Sequence, residues 1–276
     1  MKIITDTASL YAPEEAKELG ITVIPACVVI DDKAYRDYEE ITCADFLEAV
    51  TKGAVPTSSQ PAIGDLMDIF EDCEEEVLHL SLGDGLSGAY QNAVGAKNCL
   101  DENDHIHVID TKTLAGPQHY LVQKAMKLKE KGLNIEKIKE ELQKCIETSV
   151  SFVIPSDFNF LKRSGRLTPI AAQISTLIKI VPVMTQTADR KRIEPFVIKR
   201  SVKSATEAII NHLKKLKVDE NYIISISHGG AAEKAAQVLQ QFKTHFENAS
   251  FELFPLSPAL ITHGGPGCIV IQAIMK

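Results

Sequence analysis

The sequence predicts an α/β protein of two domains. Residues 1–155 read as an N-terminal three-layer α/β/α domain on a mainly parallel sheet, and residues 156–276 as a C-terminal two-layer α/β domain with a mixed sheet. Three observations carry this. The first half alternates short apolar runs with helical patterns, the signature of a parallel sheet covered by helices. Beyond about residue 150 two apolar runs flank the turn "TADRK", which reads as a hairpin and hence as antiparallel pairing. The length, 276 residues, suits about two domains.

The elements follow in order. "KIIT" reads as a strand and "PEEAKELG" as a short helix, opened by Pro13 and closed by Gly20. "ITVIPACVVI" is an apolar run interrupted by proline. "TCADFLEAVTKG" and "AIGDLMDIFEDC" read as amphipathic helices on either side of "AVPTSSQP". "EVLHLS" and "HIHVID" read as strands around the helix "SGAYQNAVGAKNCL", and two long helices are expected near 114–131 and 135–148. In the second half "LIKIVPVMTQ" and "RIEPFVIKR" form the expected hairpin. Helices near 201–217 and 231–247 then alternate with "YIISIS", "FELFPL" and the closing "CIVIQAI".

Composition narrows the function. A net charge of −7 argues against a nucleic-acid partner, because phosphate binding wants a basic footprint. The six cysteines are scattered without a CxxC pair, which suits neither a zinc knuckle nor a disulfide framework and points to a reducing cytoplasm. The opening "MKIITDTASLYAPEE" lacks the apolar core of a signal peptide. No apolar run approaches the roughly 20 residues of a membrane span, so stable membrane insertion is not expected. The acidic run "EDCEEE" at 71–76 reads as a solvated helix end. His105 and His107 alternate on one strand, but no third ligand stands at a metal-binding spacing, and no metal is expected.

Ligands of open α/β sheets bind beyond the carboxyl ends of the strands. There the sequence places Asp6 and Thr7, Ser81 followed by "GDGLSGAY", and Asp110 and Thr111. In "GDGLSGAY" Ser87 stands where it would cap the next helix, whose start offers unpaired N–H groups and a positive dipole end to an anion. The same glycines and serine also suit a plain loop and cap. "PTSSQP" packs Thr57, Ser58 and Ser59 between two prolines ahead of a helix. "LKRSGRLT" gathers Lys162, Arg163 and Arg166, and Arg200 closes the second hairpin strand; these suit anions and equally a solvated face. His263 stands in "ITHGGPG", where a histidine among glycines is free to approach a ligand; a buried histidine would instead satisfy a carbonyl.

An enzymatic reading competes. "GLSGA" at 85–89 approaches the nucleophile elbow G-x-S-x-G. Ser87, then Asp110 or Asp189, then His263 is the chain order of an α/β-hydrolase triad acting on acyl esters. Against it, "SLGDG" inserts a loop between strand and serine, and no HGGG-like segment precedes Ser87. A P-loop is absent, and "GDGLSG" matches the dinucleotide fingerprint in letters only.

Taken in order, "IITDTASL", "YRDYEEIT", "TSSQPA", "LSGAYQNA", "VIDTKTLAGPQ", "LKRSGRL" and "ITHGGPG" resemble the DegV family over the whole chain. The resemblance implies a DegV-like fold with a lipid-sized cavity where the domains join. It implies a bacterial fatty-acid-binding protein, the carrier subunit that presents a long-chain fatty acid to a separate fatty acid kinase for acyl-phosphate formation, with no catalytic residue and no cofactor of its own. Matched by motif, Ser59 and Ser87 are implied to hydrogen-bond the carboxylate, with Ser58 and Gly88 beside them. Arg166 and His263 are implied near the carboxylate end or the kinase-facing surface. The chain departs from the family pattern at Ser58, Ala89, Ser164 and Gly264, and a kinase-fold relative acting on a small carbonyl compound is a further alternative.

Overall fold

Four apolar runs separated by helices build an all-parallel sheet in the order β2-β1-β6-β7. Its strands are β1 (Lys2–Asp6), β2 (Ile21–Ile24), β6 (Val77–Ser81) and β7 (Ile106–Asp110). The computed structural model describes residues 1–174 and 180–276 and divides into two units: Met1–Glu147 with Ser257–Ala259, and Thr148–Leu256 with Leu260–Lys276.

In the first unit the helices are α1 (Pro13–Glu18), α2 (Cys43–Thr51), α3 (Ile63–Glu71), α4 (Ala89–Asn98), α5 (Gly116–Glu130) and α6 (Ile135–Thr148). Each start has a local cause. Pro13 opens α1, where its missing N–H costs nothing. Thr42 caps α2 by accepting the Asp45 N–H at 3.1 Å and donating its hydroxyl to the Asp45 carboxylate. Spacing of four places Leu66 and Phe70 on the buried face of α3, where they pack with Ile4, Ile24, Ala93 and Ile106. Residues 116–122 of α5 are all buried, so this helix, although its sequence is rich in polar residues, lies against β1 and β6.

A second, three-stranded antiparallel sheet is ordered β4-β3-β5, from β3 (Cys27–Ile30), β4 (Lys33–Arg36) and β5 (Thr57–Ser59). The sequence reading expects "AVPTSSQP" only as a connector. Three polar residues carry too little periodicity to announce a strand, and their pairing is supplied by β3, about thirty residues away.

The second unit is a mixed sheet, β10-β9-β8-β13-β11-β12. Its strands are β8 (Val150–Ile154), β9 (Val181–Gln186), β10 (Ile193–Lys199), β11 (Tyr222–His228), β12 (Ser250–Pro255) and β13 (Ile269–Met275). Only β11 and β12 run parallel; β9 and β10 form the expected hairpin. The start of its first expected strand, residues 177–179, lies outside the described residues. Helices α9 (Val202–Lys215) and α10 (Ala232–Lys243) present Ala205, Ile209, Leu213, Ala235, Val238 and Phe242 to a core completed by Phe152, Ile224, Ile226 and Ile271. Short helices α7 (Phe158–Arg163) and α8 (Pro169–Ala172) also belong to this unit, as does α11 (Pro258–Gly264) from Leu260 onward. Mixed α/β architecture with one parallel and one mixed sheet is therefore what the chain adopts, as its pattern predicts. Among the described residues no helix is long and apolar enough to cross a membrane.

Candidate functional site

The two serine segments are neighbours in the first unit. Strand β5 is fixed by β3 in the register Val29–Thr57, Val28–Ser58 and Cys27–Ser59. Strand alternation then sends Ser58 and Ser59 to opposite faces. Ser58 shares its face with the fully buried Val28 and is half-buried, whereas Ser59 is exposed beside Cys27. The Ser59 hydroxyl reaches the Cys27 sulfur, and burial holds that thiol above its ordinary range. Beyond Ser59 the chain passes directly over the start of α4. The Asn92 side chain donates to the Pro61 carbonyl at 2.8 Å, and the Gln60 amide oxygen sits 2.0 Å from where a β-carbon on Gly88 would stand. Only glycine leaves room for Gln60 there.

The second segment is the loop from β6 to α4. Ser87 was expected to occupy the cap position of α4; the structure puts Gly88 there, one residue on. The Ser87 oxygen still accepts the first helical N–H, that of Ala89, at 3.2 Å. Its own hydrogen therefore points elsewhere and can be donated. A carboxylate at this helix start would find a hydroxyl donor, backbone N–H groups and the positive end of the helix dipole. Hydrogen bonds to the ionised form favour ionisation, so the site suits a carboxylate without a buried lysine. The structure thus brings Ser58, Ser59, Ser87 and Gly88 onto adjoining segments.

Arg166 and His263 belong to the second unit and are close enough to interact electrostatically. His263, set among glycines in the sequence, lies in the last turn of α11. Burial, reinforced by the Arg166 charge, lowers its pKa to about 4, so the imidazole is neutral near pH 7. Arg166 is half-buried, which lowers its own pKa, and its guanidinium donates to the Ser164 carbonyl. The glycines that follow His263 have an internal cause. A β-carbon on Gly264 would meet the Cys268 sulfur at 2.8 Å, and one on Gly265 the Phe160 ring at 2.9 Å with φ at +80°. Close packing of the chain on itself therefore requires them. It also accounts for Gly264 standing where the family pattern has threonine. Ser164, another departure, is buried and donates to the Leu161 carbonyl at 2.6 Å at the end of α7.

The aspartates of the triad alternative each have a local structural role. Both candidate aspartates hold turns: Asp110 accepts the N–H groups of Asp84 and Lys112, and Asp189 accepts the Thr187 hydroxyl and the Lys191 N–H. His107 is engaged with Glu76 at 2.7 Å. Among the described residues no group of three or more His, Cys, Asp or Glu side chains is arranged to hold a metal ion.

Sequence reasoning missed the buried polar layer beneath the loops. Asp6, fully buried, accepts from the backbone of Ala8 and Leu82 and from the Gln118 amide. Burial raises its pKa to about 6, and does the same for Asp37, which accepts the Ala259 N–H at 3.3 Å. The strand-end position of Asp6 was the one available signal.

A family model described as "Uncharacterised protein, DegV family" matches residues 1–276. A DegV domain-containing protein of Listeria innocua, lin2658, is 32% identical, the match covering 99% of this chain and 98% of that one. Among solved structures, a DegV described as a fatty acid binding protein from Bacillus subtilis superposes with a TM-score of 0.86 at 27% identity, covering 99% of this chain and 98% of that one. A DegV family protein from Thermus thermophilus, described for its fatty acid binding, does so with a TM-score of 0.89 at 26% identity over the full length of both chains.

Proposed function

Because the chain belongs to the DegV family, we propose that it binds a long-chain fatty acid and presents the carboxylate to a separate fatty acid kinase, which converts it to an acyl phosphate. In this reading Ser59 and Ser87 donate to the carboxylate, the backbone at Gly88 completes the grip, Ser58 on the other face of β5 seats the strand that carries Ser59, and the chain supplies no catalytic group of its own. It works in the cytoplasm, where its partner kinase would find ATP.

One observation carries the reading: the Asn92–Pro61 and Gln60–Gly88 contacts hold two hydroxyl-bearing segments against the start of α4. The structural relatives described as fatty-acid-binding support the ligand class. Each buried methylene of the acyl chain contributes about 0.8 kcal/mol, so a long chain binds tightly with few polar contacts.

The test is the Ser59→Ala/Ser87→Ala double variant. It should fold normally and retain no fatty acid, and full retention would overturn the assignment. A serine esterase would instead cleave a chromogenic acyl ester and lose that activity on Ser87→Ala.

A further inference from the structure

The loop that carries Ser87 emerges from β6 between β1 and β7, and the last residues of those two strands grip it. Asp6, ending β1, accepts the Leu82 N–H on Oδ2 at 2.7 Å. Asp110, ending β7, accepts the Asp84 N–H on Oδ1 at 3.0 Å. Between them the Gly83 N–H donates to the Thr113 carbonyl at 2.9 Å. Three consecutive backbone N–H groups are thus tied down, two by the neighbouring strand ends and one by the loop that follows β7. The N–H groups of Leu86 and Ser87 both turn back to the Gly83 carbonyl at 3.3 Å, so the place of Ser87 follows from the place of Gly83.

We propose that Asp6 and Asp110 are positioning residues for the carboxylate grip: without touching the ligand, they fix the loop that aims the Ser87 hydroxyl. This rests on the reading that Ser87 holds a fatty-acid carboxylate. The two clamps differ chemically. Asp110 uses one oxygen for both of its partners, Asp84 N–H and Lys112 N–H at 2.8 Å, and an asparagine carbonyl offers the same oxygen. Asp6 uses both: Oδ2 for Leu82, and Oδ1 for Ala8 N–H at 3.0 Å and the Gln118 amide at 3.1 Å. An asparagine there must turn its NH2 toward one of two backbone N–H groups, whichever way it flips. Amide substitution therefore separates the clamps.

The experiment measures oleate affinity of the delipidated full chain by displacement of a fluorescent fatty acid. Asp110→Ala is expected to bind about tenfold more weakly, as losing two charge-assisted hydrogen bonds implies. Asp110→Asn should stay within about twofold of the parent, and Asp6→Asn should fall about tenfold. A merely structural role would lower thermal stability in Asp110→Ala without moving the affinity of the folded protein, and that result overturns the proposal. If Asp6→Asn does not fold, the Asp110 pair decides alone. If the parent takes up no oleate, the carboxylate reading falls separately. Hydrogen exchange at Leu82, Gly83 and Asp84 then still tests the clamp, which requires lost protection in Asp110→Ala and kept protection in Asp110→Asn.

Discussion

Asn92, in the second turn of α4, donates its side-chain amide to the carbonyl of Pro61 at 2.8 Å. This bond closes a circuit in which β3 fixes β5, β5 delivers Ser58 and Ser59, and α4 receives the chain that follows them. A bond of this kind contributes about 1 kcal/mol. Asn92→Ala should therefore weaken fatty-acid binding about fivefold while lowering thermal stability only slightly. Titration of the variant alongside its melting curve checks this; unchanged affinity would show that the circuit does not matter for the ligand.

Gly88→Ala tests the same junction by crowding it. The added methyl lands on the Gln60 amide oxygen, yet φ at Gly88 is −79°, a value alanine accepts. The backbone is not strained, and Gln60, an exposed side chain, must move. Gly88→Ala should fold and bind fatty acid several-fold more weakly, and Gln60→Ala added to it should recover most of the loss. A double-mutant cycle in affinity measures that coupling.

Gly265→Ala addresses the second unit. It would put a methyl against the Phe160 ring and force alanine to φ +80°. Overpacking and left-handed backbone together cost about 2–5 kcal/mol. The expected result is a markedly lower melting temperature. A neutral outcome would show that the glycines after His263 answer to something other than packing.

The buried titratable groups give stability two opposing dependences on pH. His79 is buried among apolar side chains, which lowers its pKa to about 4, below the ordinary value near 6.5. It is neutral when folded, so its penalty is absent above pH 6.5 and grows as pH falls toward 4. Asp37 behaves oppositely. Its folded pKa of about 6 exceeds the ordinary 3.8, so it favours folding below pH 4 and costs stability as pH rises through 6, on the order of 3 kcal/mol in all. Urea unfolding at pH 4.5 and 7.5 should show His79→Leu gaining on the parent at the lower pH and Asp37→Asn gaining at the higher. Parallel curves would contradict both assignments.

Much of this architecture is legible in the sequence because its elements carry strong local patterns. "EVLHLS" and "YIISIS" are short runs rich in apolar residues, and α3, α9 and α10 repeat apolar residues at helical spacing. What the sequence hides is set by distant partners. Strand β5 exists because β3 lies beside it, and Ser58 and Ser59 gain opposite faces only through that pairing. Nothing local to the glycines after His263 reveals that Phe160 and Cys268 press on them. Asp6 and Asp110 were visible as strand ends, but their shared loop was not, since β6 separates them in the sheet and 103 residues separate them in the chain.

The central claim is that this chain carries a long-chain fatty acid. Native mass spectrometry of the purified protein, followed by organic extraction, tests it most directly. The account predicts a mass increment of one fatty acid per chain, absent from Ser59→Ala/Ser87→Ala. A parent protein that is empty and takes up no added fatty acid would contradict it.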